Sequence, residues 1–584
     1  MKSKRTFVAL GLGLGLALAT LFVLAGGAGQ ATLAQSGSGV IRVSTTGTDA
    51  PGCGSAASPC ETVQYAVDLA QPGDEIRIAE GTYTDVQLRG GITQVVYISK
   101  TVAVRGGFTT GDWDTPDPAG NPTTLDAADL GRVMVIAGPV TATVKGLNIT
   151  NGDASGQGGY AILHGGYGVY DCGGGVYVSE ATVTISHCAV YDNAAWPHSD
   201  TRSAGGGGGI CLQDSSGARL LGNVIQNNVG TRWGHGFGGG LLLKDTPRAV
   251  LRGNTITANL ATDRGNGGGG GIYVIDADIL TLKQNTIGHN RGSVNANSEG
   301  GGGVAVHSSE HAEFVDNTIV GNVAGGAWSQ GGGLYLRGSD HALFRGNEIV
   351  GNVASTHRGW GGGLYADISD GLTLYGNRLV GNLGTTNPTE LSWGGGLYLE
   401  LGGPCTLTNN ALIDNLVTAS GNAIYAEGAS VRMLHNTIAQ VSPMRLAADP
   451  DDLSGLFFRD SGPGDHSDVA MTNTILSGYG VGISVTEGST VTVSGVLWHQ
   501  TPVTISHSAG ATLSVRHSYT GDPLFDADGF HISAGSAAVD AGVDAGVLVD
   551  IDGDTRPSGI GPDLGADELP MGVVFLPLVL RDTG

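Results

Sequence analysis

The side chains best suited to chemistry fall in a column that recurs about every thirty residues. Short apolar triplets follow runs of glycine, and the middle residue is often tyrosine, as in Leu334-Tyr335-Leu336. Side chains alternate between the two faces of a strand, so the middle residue points away from the core. Aromatic rings on such a face could stack on sugars. The predicted column is Tyr273, Ala305, Tyr335, Tyr365, Tyr398 and Tyr425.

A second column lies one outward step beyond the tyrosines and carries charge. Arg337 could form a bidentate pair with the carboxylate of a uronate sugar. His307 or Lys244 could act as the base, and Tyr335 as the acid, in a β-elimination that cleaves an acidic polysaccharide. Tyrosine and charged residues are also ordinary occupants of a solvated sheet face. The charged candidates are Lys244, His307, Arg337, Asp367 and Glu400.

Tryptophan is concentrated in the loops that precede the glycine runs, which hold five of the seven tryptophans. Neighbouring repeats would bring several of these rings together along one edge. They would either form a rim that stacks on carbohydrate or pack on each other over glycine-rich backbone. The predicted ligand-binding tryptophans are Trp328, Trp360 and Trp393.

Aspartates near the C-terminus are the best candidates for a metal site. Calcium prefers carboxylate oxygen as its ligand. The spacing does not match an EF-hand loop, because the glycine comes too early. The alternative is a simple turn rich in aspartate. The predicted calcium ligands are Asp550, Asp552, Asp554 and Asp563.

A repeating scaffold must position these residues. The triplet that starts at Val176 recurs at intervals of 34, 31, 31, 32, 30, 30, 33 and 27 residues, which is a solenoid period. Most units also contain two asparagines five residues apart, such as Asn347 and Asn352. Asparagine suits sharp corners, and stacked asparagines can hydrogen-bond to one another as a ladder. The pattern predicts an all-β parallel β-helix with three short strands per coil.

The N-terminal end of such a stack is an open sheet edge that needs a cover. Ser58-Pro59-Cys60-Glu61 has the serine, proline and glutamate of a capping box. Apolar residues between Val63 and Ala70 then share one helical face, and Pro72-Gly73 ends the pattern. We therefore expect a short helix that caps this end.

Two segments resemble parts of known secreted proteins. Residues 41–83, which include Pro72-Gly73-Asp74 and Gly81-Thr82-Tyr83, are similar to the entry segment of pectate-lyase-like β-helix proteins. The strings DIDGDTRP at 550–557 and DLGADE at 563–568 resemble the choice-of-anchor Q segment, which often closes secreted bacterial β-helix proteins. The resemblance implies a right-handed β-helix with its ligand on the outside of one sheet. It does not imply a particular chemistry, because this architecture hosts lyases, hydrolases and proteins without activity.

Charge and the N-terminal residues indicate an exported protein. The net charge of -24 disfavours binding to nucleic acid. Three basic residues up to Arg5 precede a long apolar run, and small residues precede Gln35, which is typical of a cleaved signal peptide. The alternative is an uncleaved signal anchor. We expect a bacterial cell-surface or secreted monomer with no membrane span in the mature chain.

Export makes disulfides possible. Cys53 and Cys60 bracket a short loop and are predicted to pair. Cys172, Cys188 and Cys211 lie on neighbouring repeats, so one further bridge is expected among them and one thiol remains. No CxxC spacing occurs, so neither a zinc site nor a redox site is predicted.

These observations predict a protein that binds polysaccharide or another cell-envelope or matrix component. A lyase or hydrolase that acts on an acidic polysaccharide is the alternative, although no catalytic signature such as Gly-x-Ser-x-Gly occurs. No cofactor is predicted beyond the calcium candidate. The expected segments are a signal peptide at 1–34, a cap and first coils at 35–172, glycine- and asparagine-rich repeats at 173–440, further coils at 441–519, an anchor-like segment at 520–569 and an apolar tail at 570–584.

Overall fold

Strands form where short apolar and polar residues alternate, and each pairs in parallel with the equivalent strand of the next coil. The structure is a computed structural model that describes residues 39–161, 169–196, 204–298, 300–442, 454–462 and 464–570. The predicted signal peptide and nearly all of the apolar tail lie outside these residues. The fold is a right-handed parallel β-helix, as predicted. One representative coil contains the strands Leu334–Arg337, Leu343–Arg345, Glu348–Val350 and Val353–Ser355.

The first strand of each coil belongs to a 15-stranded sheet, which we call the site sheet. Its strands hold the apolar triplets, and its first pair is antiparallel whereas the rest are parallel. The strands are Gln87–Arg89, Ile92–Ile98, Arg132–Ala137, Val176–Ser179, Ile210–Gln213, Leu241–Lys244, Ile272–Ile275, Val304–His307, Leu334–Arg337, Leu364–Asp367, Leu397–Glu400, Ile424–Glu427, Ser454–Arg459, Val481–Val485 and Val503–His507.

Two further sheets close the coil. A 28-stranded sheet runs from Val40–Val43 to Thr512–Thr520 and takes two strands from most coils, on either side of an asparagine corner. The representative coil therefore has four strands in three sheets, where three strands per coil were predicted. The strands of the third sheet are Ala194–Trp196, Val229–Thr231, Leu260–Thr262, Arg291–Ser293, Val323–Gly325, Val353–Ser355 and Leu383–Thr385.

Two small sheets lie outside the coil, after the third sheet and before the glycine run. They form because the chain leaves the wall of the coil in the long loops. Apart from one antiparallel pair within a single loop, each strand pairs in parallel with the same loop of the next coil. One comprises Gly159–Ala161, Val169–Cys172, Ala204–Gly206, His235–Phe237 and Gly267–Gly268. The other, which we call the outer sheet, comprises Ser329–Gln330, Gly359–Trp360 and Ser392–Trp393.

The core fills with the first and third residues of each triplet. Leu334 pairs in register with Leu364, and Leu336 pairs with Ala366. All four are at most 4 % exposed. Because one coil alone buries little apolar surface, each coil is stabilised by the coils above and below it.

Two asparagine ladders run up the corners, as predicted. Each Asn Nδ2 donates to the Oδ1 of the next asparagine, for example 2.9 Å from Asn347 to Asn377 and 3.0 Å from Asn352 to Asn382. The first ladder is Asn223, Asn254, Asn285, Asn317, Asn347, Asn377, Asn410 and Asn436. The second ladder is Asn193, Asn228, Asn259, Asn290, Asn322, Asn352, Asn382 and Asn415.

The glycine runs are required where two walls of the coil approach each other. A Cβ atom on Gly332 would lie 2.4 Å from the carbonyl carbon of Val353, on the third sheet. A Cβ atom on Gly333 would lie 2.7 Å from the carbonyl oxygen of Gly363 in the next coil. Only glycine therefore lets the chain pass between the third sheet and the site sheet.

A helix covers the N-terminal coils, as predicted, but it starts later than the capping box indicates. The helix spans Val63–Leu69, and its N-cap is Thr62, whose Oγ1 accepts from the backbone N–H of Tyr65. The predicted start at Ser58 is wrong. The backbone of Cys60 bonds instead to Arg42 and Ser44 of the first strand, so it cannot begin a helix.

The predicted disulfide Cys53–Cys60 is present, and the further bridge is Cys172–Cys211. The latter joins one small sheet to the site sheet. Cys188 and Cys405 are buried thiols. Among the described residues, no helix has the length and apolar character needed to cross a bilayer.

Residues 521–570 contain no strand and pack on the outside of the 28-stranded sheet. A small apolar cluster that includes Ile475 and Leu564 lies at this contact. Beside it, Arg556 is 2 % exposed, contacts Glu568 at 3.2 Å and donates to Nδ1 of His435 over 2.6 Å. Asn473 approaches the other ring nitrogen of His435 at 2.8 Å.

This contact makes docking of the C-terminal segment sensitive to acid. Burial, together with the Arg556 guanidinium, lowers the pKa of His435 to about 3. The unfolded value is about 6.5, so the unfolded chain takes up the proton first as pH falls. The stability contributed by neutral His435 is therefore complete above about pH 6.5 and is lost toward about pH 3, at up to about 1.4 kcal/mol per pH unit.

The variant His435→Gln isolates this effect. Burial raises the pKa values of Asp563 and Glu568, so these neighbours titrate with the opposite sign in both proteins. In urea unfolding, we expect the difference in the free energy of unfolding between wild type and variant to become smaller as pH falls from about 7 to about 4. A difference that stays constant across this range would contradict the expectation.

Candidate functional site

The tyrosine column points away from the core, as strand alternation predicts, but it does not face solvent. Its members form a second apolar cluster that is separate from the core cluster. The expectation of a solvated face is wrong, since the five rings are between 2 % and 5 % exposed. These rings belong to Tyr273, Tyr335, Tyr365, Tyr398 and Tyr425.

The rings are buried because in-register parallel strands place identical side chains about 4.8 Å apart. Tyr365 stacks on Tyr398 with ring centroids 5.0 Å apart, and Tyr398 stacks on Tyr425 at 4.8 Å. Each ring face is occupied by the next ring. In this part of the column the tyrosines therefore cannot offer their faces to a sugar.

The outer sheet covers the same column. Trp360 and Trp393 pair in register, stack at 5.5 Å and pack on the tyrosine cluster. Gln330 occupies the equivalent position one coil earlier and donates to the Tyr365 hydroxyl over 3.3 Å. Sequence reasoning missed Gln330. Its signal is that Gln330, Trp360 and Trp393 each stand directly before a glycine run.

A cleft of about 650 Å³ opens where the column is interrupted. Ala305 takes the tyrosine position between Tyr273 and Tyr335, so the stack has a gap. The His307 ring fills part of it, with its centroid 5.0 Å from that of Tyr273 and 5.3 Å from that of Tyr335. The small side chain of Ala305 thus explains the position of the cleft.

The rim of the cleft carries an exposed indole. Trp328 is 59 % exposed and meets the edge of Trp360 at a centroid distance of 6.5 Å. Arg358 lies over the Trp328 ring at 5.1 Å. The backbone N–H of Trp328 donates to Asn297 Oδ1 over 3.1 Å, which ties the loop to the preceding coil. Of the three predicted tryptophans, only Trp328 presents most of its surface to solvent.

The floor of the cleft is basic. Arg337 and His307 both line it, and none of the described lining residues is Asp or Glu. Arg337 Nε contacts Asp367 Oδ2 at 3.3 Å, and the arginine side chain remains 58 % exposed. Burial raises the pKa of Tyr335 to about 12, so its hydroxyl stays protonated at neutral pH.

Three other predicted residues lie outside the cleft. Glu400 accepts a hydrogen bond from the Tyr365 hydroxyl, and burial raises the pKa of both Glu400 and Asp367. Lys244 forms an ion pair with Asp245, in a coil nearer the N-terminus than the cleft. The structure therefore brings His307, Tyr335 and Arg337 together and leaves Lys244, Asp367 and Glu400 outside the lining.

The structure does not gather the four predicted calcium ligands. One oxygen of Asp550 accepts from the backbone N–H groups of Asp552, Gly553 and Asp554, at 2.8 to 2.9 Å. Both oxygens of Asp563 also accept from backbone N–H groups. The carboxylates of Asp550 and Asp563 therefore stabilise turns, and among the described residues the four aspartates do not come together as one ligand group.

Comparison with known proteins identifies the architecture. A family model described as a right-handed β-helix region matches residues 135–329 and 293–496, more than half of the chain. No curated protein matches in sequence.

Solved structures of similar shape include a pectate lyase, Pel9A, at 12 % identity, with 91 % of this chain and 97 % of that chain covered and a TM-score of 0.27. The A-module of the Azotobacter vinelandii mannuronan C-5 epimerase AlgE6 has 12 % identity, coverage of 79 % and 94 %, and a TM-score of 0.34. XylC in complex with xylose has 10 % identity, coverage of 90 % and 98 %, and a TM-score of 0.31.

Proposed function

Because the chain belongs to the right-handed β-helix family, whose coils display columns of side chains, we propose that it binds an acidic polysaccharide in the cleft at Ala305. One observation carries the proposal. The net charge is -24, yet the described lining of the cleft contains Arg337 and His307 and no carboxylate. The guanidinium of Arg337 gives the cleft a local positive charge, which can hold an anionic group on a protein whose surface otherwise repels anions. The exposed Trp328 adds an apolar surface for a sugar ring.

Trp328 and Arg337 would have complementary tasks in this binding. The Trp328 indole offers the only largely exposed aromatic surface on the described rim, and a pyranose ring can lie against it. Arg337 is oriented by Asp367, and its planar guanidinium matches the geometry of a uronate carboxylate. Gln330 and Asn297 contribute polar groups between them. The ligand class that fits this combination is a uronate-containing glycan.

A lyase is the second candidate function, favoured by one observation. His307, a histidine able to accept a proton, lies beside Tyr335, which retains its proton, and beside Arg337, which can hold a carboxylate. These are the parts that a β-elimination requires. Unsaturated uronates formed from a bound oligosaccharide would favour the lyase. Binding without any product would favour the binding protein.

We expect the protein to bind polygalacturonate or alginate oligosaccharides and not a neutral oligosaccharide of equal length. Trp328→Ala should weaken this binding about fivefold to tenfold, because it removes a stacking contact worth about 1 kcal/mol. Isothermal titration calorimetry measures both effects. Tyr519→Ala is the matched control, since Tyr519 is 37 % exposed on the last coil, far from the cleft. Equal affinity for the neutral glycan would contradict the proposal.

We also propose that the protein is exported. Disulfides persist in oxidising compartments, and the structure contains Cys53–Cys60 and Cys172–Cys211. The N-terminal residues carry the pattern of a signal peptide, and residues 520–569 resemble an anchoring segment. N-terminal sequencing of the mature protein is expected to begin at Gln35. A mature chain that retains Lys2 to Arg5 would favour the uncleaved signal anchor.

A further inference from the structure

We propose that the C-terminal segment binds one divalent metal ion of the zinc class through His531, Asp552 and Asp567. One ligand atom from each residue lies within 4.8 Å of the other two. The site differs from the four-aspartate calcium prediction, of which it keeps Asp552 alone. It also lies outside the glycan cleft, so the two proposals are independent.

The imidazole of His531 is oriented as a metal ligand. Its Nδ1 contacts the carboxylate of Asp528, and its Nε2 lies 2.6 Å from Asp552 Oδ2. Histidines that bind metal usually donate their second ring N–H to a carboxylate, which fixes the ring and makes the other nitrogen a better ligand. Asp528 supplies that carboxylate here and leaves Nε2 facing Asp552 and Asp567.

The local charges favour a dication. Three carboxylates, from Asp528, Asp552 and Asp567, surround one imidazole, so protonation of His531 would neutralise only one of them. Asp567 is 6 % exposed, and the only hydrogen bond described for it is from the N–H of Ile532 to Oδ2, at 2.7 Å. A buried carboxylate without a cation is costly, and a metal ion would remove that cost.

The ligand types select the metal class. Calcium takes oxygen ligands in high number, whereas zinc accepts imidazole nitrogen together with carboxylate oxygen. The side chains of His531 and Asp552 are 32 % and 50 % exposed, so water can complete the coordination on the open side. The three ligands come from separate stretches of the segment. A bound ion would therefore cross-link residues 531, 552 and 567 in a region that contains no strand.

The test is calorimetric titration of Zn²⁺ into the full chain after treatment with EDTA. We expect one ion per chain and affinity at least about tenfold weaker in His531→Asn and in Asp552→Asn, because even the loss of a residue that only supports a ligand costs about tenfold to 100-fold. Asp552 is exposed, so Asp552→Asn should leave the fold intact. The matched control is His466→Asn, because His466 pairs with Asp460 at 3.3 Å in another part of the helix.

Two outcomes would overturn the proposal. If wild type and both variants bind Zn²⁺ equally, the ion binds elsewhere. A protonated His531 that bridges two carboxylates would then be enough to explain the contacts of this cluster. The site could instead prefer Ca²⁺ to Zn²⁺, which would exclude the imidazole as a ligand. In support, Co²⁺ bound in place of Zn²⁺ should give visible absorption that disappears in His531→Asn and persists in His466→Asn.

Discussion

Arg337→Gln is expected to weaken binding of an acidic oligosaccharide by about 1.5 to 3 kcal/mol, or roughly tenfold to 150-fold in Kd. The substitution removes the charged fork that faces the cleft. It also leaves Asp367, 3.3 Å away in the native protein, without its cation, so the cleft gains negative potential. Binding to wild type should weaken as salt rises, and the variant should have lost most of this salt dependence.

The matched control for this prediction is Arg345→Gln. Arg345 lies on the same coil as Arg337, in Leu343–Arg345, but on the 28-stranded sheet and exposed to solvent. It has the same charge and no part in the cleft, so its loss should change Kd less than about twofold. Equal losses in both variants would mean that the glycan responds to overall charge and not to the cleft.

The second large effect concerns stability. Asn322→Ala should destabilise the protein by about 3 to 5 kcal/mol, because it breaks one rung of an asparagine ladder. Asn322 Nδ2 donates to Ile287 O over 2.9 Å and to Asn352 Oδ1 over 3.0 Å. Its Oδ1 accepts from both the backbone N–H and Nδ2 of Asn290. All these groups are buried, so their lost partners cannot be replaced by water.

Urea unfolding measures this loss, with Asn295→Ala as the control. Asn295 is exposed, and among the described residues its side chain bonds only to Asp263 in a loop, so its removal should cost less than about 0.5 kcal/mol. If Asn322→Ala were as mild as Asn295→Ala, the ladder would be a consequence of coil stacking and not a cause of it.

The coil and its ladders could be predicted because they depend on spacing that repeats. Asn347 and Asn352 recur with the period of the coil, so their stacking follows from sequence alone. The helix start at Ser58 could not be predicted in the same way. The local residues match a capping box, but the backbone of Cys60 forms hydrogen bonds with Arg42 and Ser44, which lie well before it in the sequence.

The site was predictable in its residues and not in its exposure. The alternation of side chains along a strand correctly predicts that Leu334 and Leu336 point into the core and that Tyr335 points away from it. It cannot show that rings in equivalent positions cover one another, or that Trp360 and the rest of the outer sheet close over the tyrosine column. The cleft depends on a single irregularity, Ala305, and a pattern search treats such a position as a weak repeat instead of an opening.

Length variation among the coils lies in the loops, such as 356–358 and 386–391 before the glycine run and 401–404 and 428–429 after the site sheet. The strands around the cleft keep their register: Val304 pairs with Leu334 and Leu334 with Leu364, whatever the loop between them. A whole turn of the solenoid is thus a removable module. Excising 334–363 would join Gly333 to Leu364 and set Leu364 on Val304, so duplication or deletion of a turn would lengthen or shorten the β-helix and leave both asparagine ladders continuous.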